Sequence, residues 1–164
     1  MLLEIHSHTR EHSPCSHIPA QTLAEEVRDK GLQGLVLTDH HHVWPPEDLA
    51  ELRRKAKLEA YFVLLSGQEV TTESGDVLVF GPKEAIERHT RLEDIVSRYP
   101  EAAVVWAHPY RNGVRPEPHL LQAPRPFHGI EIFSSNHTVR DNIQGLQDWH
   151  RHKFTALAGT DTHG

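Results

Sequence analysis

The chain has 164 residues, enough for one domain with a sizeable core and hardly enough for two, so residues 1–164 are read as a single domain. Its 17 basic and 23 acidic residues give a formal charge of -6, which argues against a broad nucleic-acid-binding surface. No basic segment leads into a long apolar stretch, so neither a secretion signal nor a membrane span is expected, and the single cysteine, Cys15, fits a reducing cytoplasm.

In chain order, residues 2–8 are predicted as a short strand and residues 19–30 as a helix, with Leu23 and Val27 inward and Gly31 as its stop. Residues 34–38 (GLVLT) read as a buried strand and residues 46–58 as a second amphipathic helix. A third strand covers residues 61–70, and residues 76–80 pair back on it across the turn at Glu73-Ser74-Gly75. Residues 92–99 are helical, 102–106 and 129–133 are strands, 140–152 form a helix and 154–158 a last strand. Strands alternating with helices predict an α/β fold of parallel βαβ units, hence a barrel or an open doubly wound sheet. A full eight-fold barrel takes about 250 residues, so this one is expected to be smaller, open or cut short. The sequence stops one residue after His163 with no helix to cover the last strand, so the natural chain is expected to continue past Gly164 or to lack a segment.

The chemistry is concentrated at the carboxyl ends of these strands. The first ends in His6-Ser7-His8, the second in Thr38-Asp39-His40, the third reaches Glu69, the strand at 102–106 leads to His108, and the last leads to Asp161-Thr162-His163. In a parallel α/β architecture that end is where active sites are built. Side chains alternate along an extended chain, so His6 and His8 project the same way and can grip one ion, and Asp161 and His163 share that spacing. Asp39 and His40 are adjacent and point apart, so His40 is read as the ligand and Asp39 as a partner that orients an imidazole. Glu69 is suited to bridging two cations. Imidazoles with carboxylates favour zinc, manganese or iron. Any one of these features alone is weak, but five on one face are not coincidence.

These residues fall into ordered motifs. HSHT at 6–9, TDH at 38–40, AHP at 107–109 and GTDTH at 159–163 resemble those of the PHP (polymerase and histidinol phosphatase) family of metal-dependent phosphoesterases, as do HSPCS at 12–16 and GIEI at 129–132. The resemblance implies a distorted TIM-like (β/α)7-type barrel, open or truncated at its carboxyl end, with two or three divalent ions at its mouth. Carried over motif by motif, it implies one ion on His6, His8, Glu69 and Asp161, a second shared by Glu69 and His108, and a third on His40 and His163. Relatives often have a histidine after the hairpin glycine. Asp76 stands there, and the resemblance implies that it serves as a ligand with altered metal preference. Glu4 replaces the usual first aspartate, and His12, Cys15 and His17 are the local candidates for a further third-site ligand.

The function expected is hydrolysis of a small phosphomonoester, a nucleotide or histidinol phosphate among the candidates, by metal-activated hydroxide. Arg111, three residues past His108, is the candidate phosphate clamp, because a guanidinium can bind phosphate bidentately. Arg115 is a weaker one. His163 or Asp39 is expected to assist proton transfer to the leaving oxygen. Cys15 reads as a small buried or loop residue. His41 and His42 are expected to line the cleft, and His89, His119, His128, His137, His150 and His152 to lie on loops or helix surfaces. The alternatives are an amidohydrolase-type metal hydrolase and a noncatalytic PHP module serving a nucleic-acid enzyme. The acidic balance counts against a strong nucleic-acid surface on this chain.

Overall fold

In the computed structural model, which describes residues 1–164, seven strands lie side by side in the order in which the chain makes them. They are β1 (Leu3–Glu4), β2 (Gly34–Leu37), β3 (Val63–Thr72), β4 (Gly75–Phe80), β5 (Ala103–Trp106), β6 (Gly129–Phe133) and β7 (Ala156–Ala158). Four helices, α1 (Ala20–Asp29), α2 (Pro46–Lys55), α3 (Leu92–Arg98) and α4 (Val139–His152), cover the outer face. Pairing is parallel except at β4, which runs antiparallel to both β3 and β5. The β3–β4 hairpin falls at the turn expected from Glu73-Ser74-Gly75, and the parallel βαβ pattern holds for the other strands except at the β4–β5 pairing. The register pairs Thr72 with Gly75, leaving a two-residue turn, and Gly75 takes a φ of +113° that only glycine adopts freely. So short a link cannot carry a parallel crossover. The reversal has a functional consequence: β4 brings its amino end, with Asp76, to the edge where other strands present their carboxyl ends.

Strict strand–helix alternation also fails between β5 and β6, where two 3-10 turns (Arg111–Gly113 and Pro118–Leu121) replace a helix. The sheet is a curled, seven-stranded half-barrel rather than a demonstrated (β/α)7 barrel. Its outer edges meet only beyond β1 and β7. There the Asp161 N–H donates to the His6 carbonyl (2.9 Å), the His8 N–H donates to the Thr162 carbonyl (3.1 Å), and Ser7 bridges Thr162. At the opposite end Ile5, Val36, Leu65, Phe80, Val105 and Leu157 line an apolar cavity of about 550 Å³.

Two apolar layers hold the helices to the sheet. Leu23, Ala24 and Val27 of α1 pack with Leu52, Leu35 and Leu37, while Ile95, Val104, Ile130 and Ile132 centre the layer on the other side. Burying such a side chain contributes roughly 1.5–3 kcal/mol, so these layers rather than helix propensity keep the short helices in place. α4 begins in a capping box, with Thr138 accepting from the Asp141 N–H and Asp141 accepting from the Thr138 N–H. β1 is shorter than predicted because the Glu4 carboxylate, not a neighbouring strand, takes the His6 N–H (2.9 Å) and the Thr160 N–H (3.1 Å). No helix is long and apolar enough to cross a membrane.

Candidate metal centre

Alternation along the strands decides what reaches the mouth of the half-barrel. In β6, Ile130 and Ile132 pack outward in the core layer, so Glu131 between them points inward and is fully buried. Glu69 within β3 and His6, His8, His40, His108, Asp161 and His163 beyond the ends of their strands come together although they are spread over more than 150 residues of sequence. The His8 Nε2 atom lies 3.0 Å from Glu69 Oε2 and 3.1 Å from Asp161 Oδ1, and His6 Nε2 lies 3.5 and 3.2 Å from the same two atoms. His108 Nε2 is 3.0 Å from Glu69 Oε1, and His40 Nδ1 is 3.2 Å from Glu69 Oε2.

The donor atoms form two sets, each lying within 4.8 Å of one another: His6, Glu69, His108 and Asp161, and His8, His40 and His163. This grouping differs from the one the resemblance implied, because His108 joins His6 and His8 sides with His40 and His163. Such a set of imidazole nitrogens and carboxylate oxygens fits divalent cations of intermediate softness. The site is graded from floor to rim: His6, His8, Glu69, His108 and Asp161 are buried, whereas His40 and His163 are partly exposed. His108 (φ 28°) and Asp161 (φ 50°) both hold positive-φ backbone, a conformation that costs of order 1–3 kcal/mol each and is characteristic of functional sites.

Electrostatics reflect the crowding. Burial opposes a charge on His6, yet Glu131 and Glu69 outweigh it and raise its pKa well above the ordinary imidazole value. Burial also opposes charge on His8, and Asp161 and Glu69 again raise its pKa. Against the same burial cost, His108, His6 and His8 hold the Glu69 carboxyl well below its usual range, and His8 and His6 do so for Asp161. His40 shifts the other way, because its burial dominates.

Three supporting groups were not picked out as site residues from sequence. Both Glu131 oxygens lie 3.2 Å from His6 Nδ1, and Glu131 Oε2 also accepts the His108 N–H (2.8 Å). Gly159 is required beside this pair, since a Cβ there would fall 2.5 Å from both Glu131 Oε1 and His6 Cβ. Ser13 Oγ donates to Asp39 (2.6 Å), accepts the His40 N–H (3.2 Å) and lies 3.3 Å from His8 Nδ1. Asn136 donates its side-chain amide to Asp161 Oδ2. The sequence signals were the family-like stretches that contain Ser13 and Glu131, and the setting of Glu131, a carboxylate between two isoleucines of a core strand, which must find a partner there.

The remaining candidates divide clearly. Asp39 is wholly buried and accepts four hydrogen bonds, from the Thr9 N–H and hydroxyl, Ser13 Oγ and Trp44 Nε1. Those bonds hold the loop beneath His8. Asp76 belongs to neither donor set and faces Arg111, whose guanidinium lies 3.9 Å from Asp76 Oδ2 and 3.8 Å from Asp161 Oδ2. Arg115 is drawn away to Asp148 (2.8 Å). Cys15 is exposed, His12 stacks on His42 with ring centres 3.6 Å apart, and His137, expected on the surface, is buried beside Asn142.

No family model and no curated protein matches this chain. Solved structures do. A protein from Bifidobacterium adolescentis assigned as a metal-dependent phosphoesterase aligns with a TM-score of 0.71 at 16% identity, over 99% of this chain and 87% of its own. An amidohydrolase from Chromobacterium violaceum, solved with bound sulfate and no metal, aligns with a TM-score of 0.70 at 15% identity, over 99% of this chain and 88% of its own. At these identities the likeness is one of fold. The class defined by fold and site together is therefore a curled α/β half-barrel with a histidine–carboxylate cluster at its mouth.

Proposed function

We propose that the protein is a metal-dependent phosphoesterase that hydrolyses a small phosphomonoester. The observation that carries this reading is the position of Arg111, a partly exposed guanidinium within 4 Å of Asp161 in the histidine–carboxylate cluster. A planar cation beside a metal cluster suits the remaining oxygens of a phosphoryl group, which a neutral amide or lactone does not have. His6, Glu69, His108 and Asp161 would hold one ion, and His8, His40 and His163 another. Bound there, divalent ions neutralise charge on a phosphoryl oxygen and bring the pKa of a coordinated water toward neutrality.

The chain's own residues supply the rest. Glu69 spans the two sets, with Oε1 toward His108 and Oε2 toward His8 and His40. Arg111 orients the anion from the rim. His163, partly exposed and stacked on His8, donates its Nδ1–H to the Asp161 carbonyl (2.8 Å), which leaves its Nε2 lone pair for the ion it would share with His8 and His40. The fold likeness to a protein assigned as a phosphoesterase supports the reading, and the amidohydrolase neighbour marks its rival.

The deciding experiment loads the protein with zinc, manganese or iron and offers an aryl phosphate beside amide and lactone substrates, with His8→Ala as control. Phosphate release by the wild type alone is expected. Amide or lactone cleavage without phosphate release would assign the rival chemistry, and full metal loading without turnover would exclude an enzyme of either kind.

A further inference from the structure

Asp76 is an acid at the rim of a metal-ligand cluster that joins neither donor set. Its side chain is 24% exposed, against 1–2% for Glu69 and Asp161, so it looks over the cluster rather than into it. Its carbonyl accepts the Ala107 N–H (3.0 Å), and the Arg111 N–H in turn donates to the His108 carbonyl (3.0 Å). The main chains of Asp76 and Arg111 are thus tied to the backbone on either side of His108, which brings their side chains to the same part of the rim.

The guanidinium straddles two carboxylates, Asp76 at 3.9 Å and Asp161 at 3.8 Å. At those distances it is held by charge rather than by short hydrogen bonds. Its five N–H donors remain available to a tetrahedral anion. Drawn by Asp161 alone, Arg111 would close onto that carboxylate and compete with a cation for it. Asp76 supplies the opposing pull.

We propose that Asp76 is a positioning residue for Arg111, holding the guanidinium over the cluster to receive an anion, and that it is not a metal ligand. The proposal rests on the phosphoesterase reading for the nature of the anion, and it assigns Asp76 a role different from the one the family resemblance implies.

The test compares wild type with Asp76→Ala, Asp76→Asn, Arg111→Ala and the Asp76→Ala/Arg111→Ala double variant, all zinc-loaded and matched for thermal melting. Three quantities are read: zinc equivalents retained after gel filtration, affinity for inorganic phosphate by calorimetry, and order of the Arg111 Nε–H group by NMR. Arg111→Ala is expected to weaken phosphate binding by about tenfold or more, the scale of a charge-assisted hydrogen bond. Either single substitution of Asp76 is expected to weaken it by about threefold, the scale of a partly exposed ion pair, and to loosen Arg111. Zinc content stays at the wild-type value, and the double variant is no weaker than Arg111→Ala. Loss of a zinc equivalent in both Asp76 variants overturns the proposal, as does a full additional loss of phosphate affinity in the double variant or an Arg111 Nε–H of unchanged order. A zinc-loaded wild type with no phosphate affinity would instead remove the phosphoesterase reading, while the zinc and NMR measurements still decide what Asp76 does.

Discussion

His6 Nδ1 lies 3.2 Å from each carboxylate oxygen of Glu131, and both residues are sealed from solvent. A carboxylate there holds a proton on Nδ1, so that in the neutral imidazole that metal binding requires, the lone pair is on Nε2, which faces Glu69 and Asp161. Through the His108 N–H, the same carboxylate registers a second member of the donor set, so one side chain of β6 aligns groups from β1 and β5.

Glu131→Gln is therefore expected to weaken metal affinity by about 10–100-fold, the usual scale for a group that orients a ligand. Metal titration monitored by competition with a chelating dye measures this directly, and circular dichroism verifies that the fold survives. An unchanged affinity in a folded variant would show that Glu131 serves packing alone.

Asp39 makes a different prediction. Its four accepted hydrogen bonds tie Thr9, Ser13 and Trp44 together beneath His8. Asp39→Asn turns one acceptor oxygen into a donor facing other donors, at an expected cost of about 1–3 kcal/mol in stability. Urea midpoints quantify that cost. The pH–rate profile should keep its shape. If a limb of the profile disappears while the midpoint stays put, Asp39 transfers protons after all.

The metal-free protein should be sensitive to alkali. His6 and His8 have raised pKa values in the folded state, so their stabilisation is complete below about 6.5, the free imidazole value, and is lost as pH climbs through the raised values. Glu69 and Asp161 are depressed, so their contribution is complete above about 4.3, the ordinary carboxyl range, and is lost only as pH falls through the depressed values. Stability without metal should therefore be greatest between those limits and decline toward pH 9. Metal binding requires neutral imidazoles, so added metal should reverse the alkaline trend. Melting curves in chelator and in excess zinc across pH 5–9 test both halves. A metal-free Tm that rises from pH 6.5 to 9 would falsify the first.

Much of this is legible in the sequence. The apolar runs, the period-3.6 stretches and the turn residues located all seven strands and all four helices to within a few residues, because each pattern reflects burial on one face. The ligand candidates were legible because they recur where strands end, and strand ends share one edge in a sheet with short crossovers. Glu131 was visible as an acid between two isoleucines in the family-like GIEI stretch, without its partners. Ser13 lay in the family-like HSPCS stretch but with no role attached, and Asn136 gave no signal, since an asparagine in a loop is ordinary until its neighbours are known.

What the sequence determined by itself was the inventory: which groups stand at the ends of which strands, and hence that a histidine–carboxylate cluster forms. Tertiary structure alone decided how that inventory is divided. The two oxygens of Glu69 face different imidazoles, His108 sides with His6, Asp39 is spent on a loop, and Asp76 meets Arg111 because β4 runs backwards. Spacing along a strand fixes only the face on which a side chain emerges. Which neighbour it meets depends on register and curl between strands far apart in the chain, and those are settled by packing of the whole sheet.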